Sequence, residues 1–331
     1  MEKKTIKLKY VDHDSKVITP ADGPFWNILS KRYNIEPSDD PDYVIYGPFG
    51  DEHLRYFDAV KIFYTGECIT PDFNLCDYAI GFDYLEFGDR YFRYPLWLKY
   101  GREQNLRMEH KHLDINASLA KRDFCSYVVS NEDGDAMRDQ LFDYISEYKK
   151  IDSGGRYRNN IGIPNGVSDK LEFQKSHKFA LACENCSHIG YTTEKLMEAF
   201  EAQTVPIYWG DPEVVRDFNP DSFILCNGKS LQEVLEEVIR IDQDDTVYMN
   251  MLSQPALKSS NKGILVREKE LEEFLYSIFD QDKEAAFRRN RICWGRRYIA
   301  DLFGRKLAFE KQSKKRNTMK KLANIVRVGR K

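Results

Sequence analysis

The chain has 331 residues, 42% of them hydrophobic and 31% charged, with 20 Tyr and 20 Phe; this fills about two packed domains and excludes a disordered chain, a collagen-like repeat and a disulfide-stapled miniprotein. The formal charge of −3 hides an asymmetry, because residues 305–331 carry eleven Lys or Arg against one acid, Glu310, a net +10 that leaves −13 on the rest. No apolar run approaches the ~18 residues of a membrane span, the first seven residues lack a secretory leader, and seven scattered cysteines fit reduced thiols, so the chain reads as a soluble cytosolic protein.

In chain order, short apolar runs alternate with polar stretches of helical period, as in α/β domains. Strands are predicted at residues 6–11, 43–46, 60–64 and 78–82, with a helix from Trp26 between the first two. Residues 105–123 are polar and mixed and read as a linker, where His110 and His112 lack further metal-ligand partners and read as solvent-facing. A second series of strands follows at 124–129, 178–183, 205–209 and 223–226, with helices at 196–202, 231–241, 268–279 and 284–303. The expected division is a Rossmann-like domain over 1–122, a second over 123–283, a helix over 284–304 packing back on the first domain, and a basic tail over 305–331. The fold class is thus α/β, two Rossmann-like domains facing a cleft at the carboxyl ends of their strands. In the tail, apolar residues between the charges allow a basic amphipathic helix over 319–328. That favours an anionic membrane surface over a merely solvated tail. Nothing resembling a zinc finger or an aromatic-rich RNA motif supports nucleic-acid binding.

Three clusters carry possible chemistry. The densest is residues 183–195, a strand end, a polar loop and a helix start capped by Thr192 or Thr193. Lys195 then lies in the first helical turn, where the dipole disfavours a cation unless an anion is near, and a helix N-terminus beside a lysine suits phosphate. Glu194 could accept hydrogen bonds from vicinal sugar hydroxyls; the plainer reading is an exposed Glu-Lys pair. The second cluster, residues 153–160, sets two glycines beside Arg156 and Arg158, planar donors for phosphate oxygens, against the plainer reading of a solvated turn. Neither a P-loop nor a dinucleotide fingerprint is present. The third is Thr65-Gly66-Glu67 after an apolar strand, where a carboxylate could deprotonate a hydroxyl or could simply be a loop acid. Cys183 and Cys186 form a lone C-x-x-C and read as two small, semi-buried thiols rather than a zinc site.

In the order and spacing of Phe179–Asn185, Gly190–Lys195 and Val205–Gly210, extended by Asp217–Phe223 and by Phe63–Glu67, Asp77–Asp83 and Asp89–Tyr91, the chain resembles the α-1,3/4-fucosyltransferases of glycosyltransferase family 10, in particular the bacterial branch. The resemblance implies a GT-B fold with the acceptor in the first domain and GDP-fucose in the second. By the same resemblance Glu67 is the general base, Arg158 matches the arginine that faces the donor diphosphate, with Arg156 two residues away as the alternative, and Glu184, Asn185, Tyr191, Glu194 and Lys195 bind the donor. The animal branch has its acid in a Glu-Ser-Pro context, whereas this chain reads Glu67-Cys68-Ile69-Thr70-Pro71. The heptad repeats that precede the basic tail in some bacterial members are missing, while the basic end is similar to their peripheral membrane segment. The implied reaction is an inverting transfer from GDP-β-L-fucose to N-acetylglucosamine in a galactosyl-N-acetylglucosamine glycan of lipopolysaccharide or capsule. No metal or other cofactor is expected, and the expected location is the inner face of the cytoplasmic membrane. The rival readings are the same fold with another donor or acceptor, a non-catalytic glycan- or membrane-binding protein, and a nucleic-acid binder.

Overall fold

The computed structural model describes residues 3–14, 16, 17, 19–99 and 123–328. The predicted linker up to residue 122, with His110 and His112, and the last three residues of the tail lie outside them.

Two parallel sheets carry the fold. The first comprises β1 (Thr5–Val11), β2 (Asn34–Pro37), β3 (Tyr43–Tyr46), β4 (Val60–Tyr64), β5 (Tyr78–Gly81) and β6 (Tyr91–Arg93), in the order β2-β1-β3-β4-β5-β6. The second comprises β7 (Asp123–Tyr127), β8 (Ile151–Ser153), β9 (His177–Cys183), β10 (Val205–Trp209) and β11 (Ile224–Leu225), in the order β11-β10-β9-β7-β8. Strand order reverses between β1 and β3 in one sheet and between β7 and β9 in the other. In open parallel sheets the crevice beyond the carboxyl ends at such a reversal is where ligands sit. Sequence patterning missed β2, β6 and β8, which are only three or four residues long and bury too little to show a period.

The strands form because their residues can be buried on both faces. All five residues of β4 are buried; Ile62 joins Ile6, Leu8, Ile45 and Ile80 on one face, while Phe63 packs with Val44, Tyr46 and Ala79 on the other. The first of these cores runs on without a break into the second half of the chain through Leu196, Met197, Phe200 and Phe218. Trp97, fully buried, meets Phe218 at 5.0 Å between ring centres.

The C-terminal region departs from the predicted single helix over 284–303. A helix over Ile264–Phe279 already lies against the first sheet: Lys4 Nζ donates to the Phe279 carbonyl at 2.8 Å, and Arg32 pairs with Asp280 at 2.6 Å. One short turn, Lys283–Ala286, is followed by a break before the long helix Trp294–Val328 begins. The break has a purpose in the packing. Across it, the N–H groups of Arg288 and Arg289 both donate to Asp77 Oδ1 at 2.9 Å, and the buried Arg289 guanidinium pairs with Asp77. A continuing helix would have consumed those two N–H groups.

Lys61 lies beside this pair, fully buried on β4, with no hydrogen-bond partner for Nζ among the described residues. Burial, followed by the Arg289 charge, pulls its pKa from 10.5 down to about 7. Above about pH 7 the folded chain has released this proton, whereas the unfolded chain holds it to 10.5. The unfolded state therefore binds more protons in that window, and stability rises with pH by up to ~1.4 kcal/mol per pH unit. Urea midpoints measured at about pH 7 and about pH 9 should show that rise in the wild type and lose most of it in Lys61→Met; an unchanged slope in the variant contradicts the assignment.

Candidate functional site

The cleft is built from the loops at the carboxyl ends of both sheets. After β4, Thr65 is buried and its Oγ1 accepts the Glu67 N–H at 2.8 Å, which turns the chain sharply. Gly66 lets Leu96 pack closely against the turn, since a Cβ there would lie 3.1 Å from Leu96 Cδ1. The turn delivers an exposed Glu67 carboxyl to a cavity of about 380 Å³ that it shares with His13, Phe49, Tyr64, Lys99 and Glu194. The first four lining residues were not singled out in the sequence. His13, Phe49 and Lys99 come from two loops and a short helix far apart in the chain, and no spacing links them to Glu67.

From the other half, the loop after β9 supplies the 183–195 cluster. Glu184 is fully buried; one oxygen accepts the Thr193 N–H at 2.7 Å, the other the Thr193 hydroxyl at 2.7 Å and Lys195 Nζ at 3.2 Å. Thr193 thus precedes the helix Glu194–Glu201 as expected, but its hydroxyl serves Glu184 rather than capping the helix. The anion that Lys195 requires in a first helical turn is supplied from within: Glu184, with Glu194 at 3.4 Å and the Thr193 hydroxyl at 2.9 Å. Burial opposes the charge on both Lys195 and Glu194, yet the pairing prevails, raising the lysine pKa and lowering that of Glu194. Neither member of the pair is the exposed surface residue of the plainer reading, with side chains 18% and 20% accessible.

Asn185 faces the opposite way. Its Oδ1 accepts from the buried Arg138 at 3.1 Å and its carbonyl accepts the Asp135 N–H at 2.8 Å, tying the loop to the start of the helix Met137–Ser146. Tyr191 is buried, its ring edge-on to Phe82 of the first half at 5.1 Å. Burial first, then the Glu184 charge, raise its phenol pKa, with Glu67 a smaller contributor of the same sign. Gly190 has φ +84°, and a Cβ there would meet the Phe82 carbonyl oxygen at 2.5 Å, so this glycine lets the two halves touch.

The glycine-arginine loop is not a solvated turn. Gly154 and Gly155 are buried, and a Cβ on Gly155 would strike the Val129 carbonyl at 1.9 Å. Asn159 donates to the Gly155 carbonyl at 2.7 Å, and Asn160 both accepts the Ser153 N–H and donates to the Ile151 carbonyl at 2.8 Å. Arg158 pairs with Asp139 at 3.1 Å and with Asp143 on the neighbouring helix and lies over the Phe142 ring, whereas Arg156 is exposed. Arg158 also has φ +55°, a conformation that bulky residues adopt only when their surroundings impose it.

One expectation is corrected. Cys186 is not an isolated thiol beside Cys183: its sulfur faces that of Cys68 at 2.50 Å, with Cα atoms 7.1 Å apart, while Cys183 is free and buried. Counting cysteines along the chain could not show that the loops after β4 and β9 converge. Cys68 follows Glu67 in the chain, so this contact joins the two halves directly beside that carboxylate.

Residues 8–100 match the family model described as Alpha-(1,3)-fucosyltransferase FucT N-terminal domain, and residues 118–254 match Glycosyltransferase family 10 (fucosyltransferase) C-term. The Alpha-(1,3)-fucosyltransferase FucT of Helicobacter pylori is 33% identical over 276 residues, covering 70% of this chain and 56% of that protein. The chain therefore spans only about half the length of the curated relatives it matches. A solved α1,3-fucosyltransferase is 30% identical with a TM-score of 0.73, over 88% of this chain and 93% of that one. A structure of α1,3-fucosyltransferase with GDP-fucose has 27% identity and a TM-score of 0.71, over 88% and 94%. The two parallel sheets, the cleft between their carboxyl ends and these matches place the chain in glycosyltransferase family 10, the fucosyltransferase family, with a GT-B fold.

Proposed function

We propose that this chain transfers L-fucose from GDP-β-L-fucose, with inversion, to a hydroxyl of N-acetylglucosamine in a galactosyl-N-acetylglucosamine glycan of lipopolysaccharide or capsule, forming an α-1,3 or α-1,4 fucoside. The observation that carries this reading is the shared cavity: Glu67 from one half and Glu194 from the other line the same space, with Lys195 and a helix N-terminus directly behind. Glu67 accepts the proton of the acceptor hydroxyl as its oxygen attacks the anomeric carbon. The bond from that carbon to the diphosphate breaks, and GDP leaves with the electron pair. Lys195, Arg158 and the helix N-terminus meet the charge that develops, a role in which a divalent cation is not required.

On this reading, donor binding exchanges contacts that these side chains make with one another. Lys195 has three contacts, the longest being Glu194 at 3.4 Å; a phosphate oxygen replaces that one and frees Glu194 for the fucose hydroxyls. Glu184 and Asn185 act by positioning, the first holding Lys195 and the helix start, the second holding the loop. Arg158 leaves its acid pair for the diphosphate. In a titration with GDP-fucose, Arg158→Ala should weaken binding by about tenfold or more and Arg156→Ala by less than about threefold, the bidentate guanidinium being the stronger phosphate ligand. Competition by GDP-mannose or a UDP-sugar at equal strength would contradict the donor assignment.

We further place the enzyme at the inner face of the cytoplasmic membrane, held by residues 305–331. The backbone is helical to Val328, and Leu307 and Phe309 are exposed beside Arg305, which supports an interfacial role. Among the described residues no helix is long and apolar enough to cross a membrane. Deleting 305–331 should abolish binding to phosphatidylglycerol vesicles; vesicle binding that survives the deletion contradicts this placement, and salt-sensitive RNA binding in its stead would favour a nucleic-acid role.

A further inference from the structure

At the opposite end of the second sheet from the cleft, three side chains converge that the transfer reaction does not use. Asp123 opens β7, Asp152 lies in β8 and His177 opens β9, Asp123 and His177 being register partners across the sheet. A ligand atom of each lies within 4.8 Å of the others. β9 runs from His177 to Cys183, so this cluster is roughly 20 Å from Glu184 at ~3.3 Å per strand residue.

The hydrogen bonds of His177 fix what it can offer. The ring is 1% exposed, and Nδ1 lies 2.9 Å from the Phe173 carbonyl oxygen. Ser176 Oγ also lies 3.0 Å from Nδ1 and gives its own proton to the Phe173 carbonyl at 3.0 Å; with both oxygens then acting as acceptors, Nδ1 carries the proton and, in the neutral ring, Nε2 presents a lone pair. That Nε2 is buried and has no hydrogen-bond partner among the described residues. It faces Asp152 Oδ2 at 3.5 Å, beyond the ~2.7–2.9 Å of a charge-assisted hydrogen bond. The other Asp152 oxygen is taken by Lys150 at 2.6 Å. Asp123 is exposed and adds a third acceptor. Among the described residues no proton donor stands between these three neighbouring acceptor atoms, an arrangement that a cation resolves.

We propose that Asp123, Asp152 and His177 bind a divalent transition-metal ion, with Nε2 of His177 and one oxygen of each carboxylate as protein ligands and water completing the shell. One imidazole with two carboxylates suits Zn2+ or Mn2+ rather than Ca2+. A histidine whose Nδ1–H is held by a backbone carbonyl while Nε2 meets the metal is the usual outer-shell arrangement. Metal bonds of about 2.0–2.2 Å set ligand atoms roughly 3–4 Å apart, so the exposed Asp123 carboxylate need only draw in slightly. The ion would pin the start of β7 to β8 and β9 and stabilise the second half without touching fucose transfer.

The test is equilibrium dialysis of the full chain against Zn2+, with Co2+ absorption as a spectroscopic check and thermal unfolding as a second readout. The expected result is one tightly bound equivalent, weakened at least about tenfold in both Asp123→Asn and His177→Gln, with a metal-dependent rise in Tm lost in both variants. Asp123 is exposed and tolerates substitution, so its variant reports even where His177→Gln fails to fold. No stoichiometric uptake overturns the proposal, and so does uptake that Asp123→Asn leaves unchanged. Fucose transfer is read separately and should be the same in wild type and Asp123→Asn, which keeps this test distinct from the proposed activity.

Discussion

Glu67→Gln should lower fucose transfer by about 10²–10⁴-fold while leaving GDP-fucose affinity within about twofold of wild type. The substitution keeps the shape of the side chain and the Thr65 hydroxyl bond to the residue 67 N–H, which is a backbone contact. It removes only the capacity to take a proton. Glu67 is exposed in the cleft, so the loss of its charge should not destabilise the fold, and equal urea midpoints would confirm that the defect is chemical. A Gln variant with undiminished turnover would remove Glu67 from the mechanism, and a variant that loses donor binding as well would make it a donor contact.

Glu184→Ala should have the largest combined effect on stability and binding. It strips a fully buried carboxylate that accepts from the Thr193 N–H, the Thr193 hydroxyl and Lys195. Leaving those donors buried and unmatched should cost roughly 3–5 kcal/mol. Lys195 then loses its nearest anion and the helix N-terminus its anchor, so GDP-fucose affinity should fall with stability. Glu184→Gln separates the two roles: its amide oxygen can still take the Thr193 N–H, so it should recover part of the stability while donor affinity stays weak. Full recovery of both by Gln would mean that the carboxylate charge is irrelevant and that Glu184 is only a spacer.

The ease with which these residues could be read from the sequence follows from where their partners lie. Strand β4, with its β-branched and aromatic run between turns, is legible because local patterning alone specifies burial. The run at 183–195 is legible as an anion-binding helix start because the oddity, a lysine in a first turn, is local. Its resolution is local too, but internal: the anion is Glu184 of the same loop, so a donor must displace an existing contact. The pairing of Cys68 with Cys186, the burial of Lys61 beside Arg289 and the convergence of Asp123, Asp152 and His177 all depend on sheet order, which spacing along one chain does not reveal. The predicted helix over 284–303 failed for a related reason: periodicity continued through Arg288 and Arg289, but Asp77 claims their backbone N–H groups from more than two hundred residues away. Tertiary demand overrode a local pattern there.

The most direct measurement of the central claim is GDP release from GDP-fucose in EDTA, with and without N-acetyllactosamine or its β1,3-linked isomer. Acceptor-dependent release, undiminished by the chelator and preferring one isomer, is the predicted result, and the preferred isomer would distinguish α-1,3 from α-1,4 transfer. No release with either acceptor, or release only when a divalent ion is restored, would contradict the account of Glu67, Lys195 and Arg158 set out above.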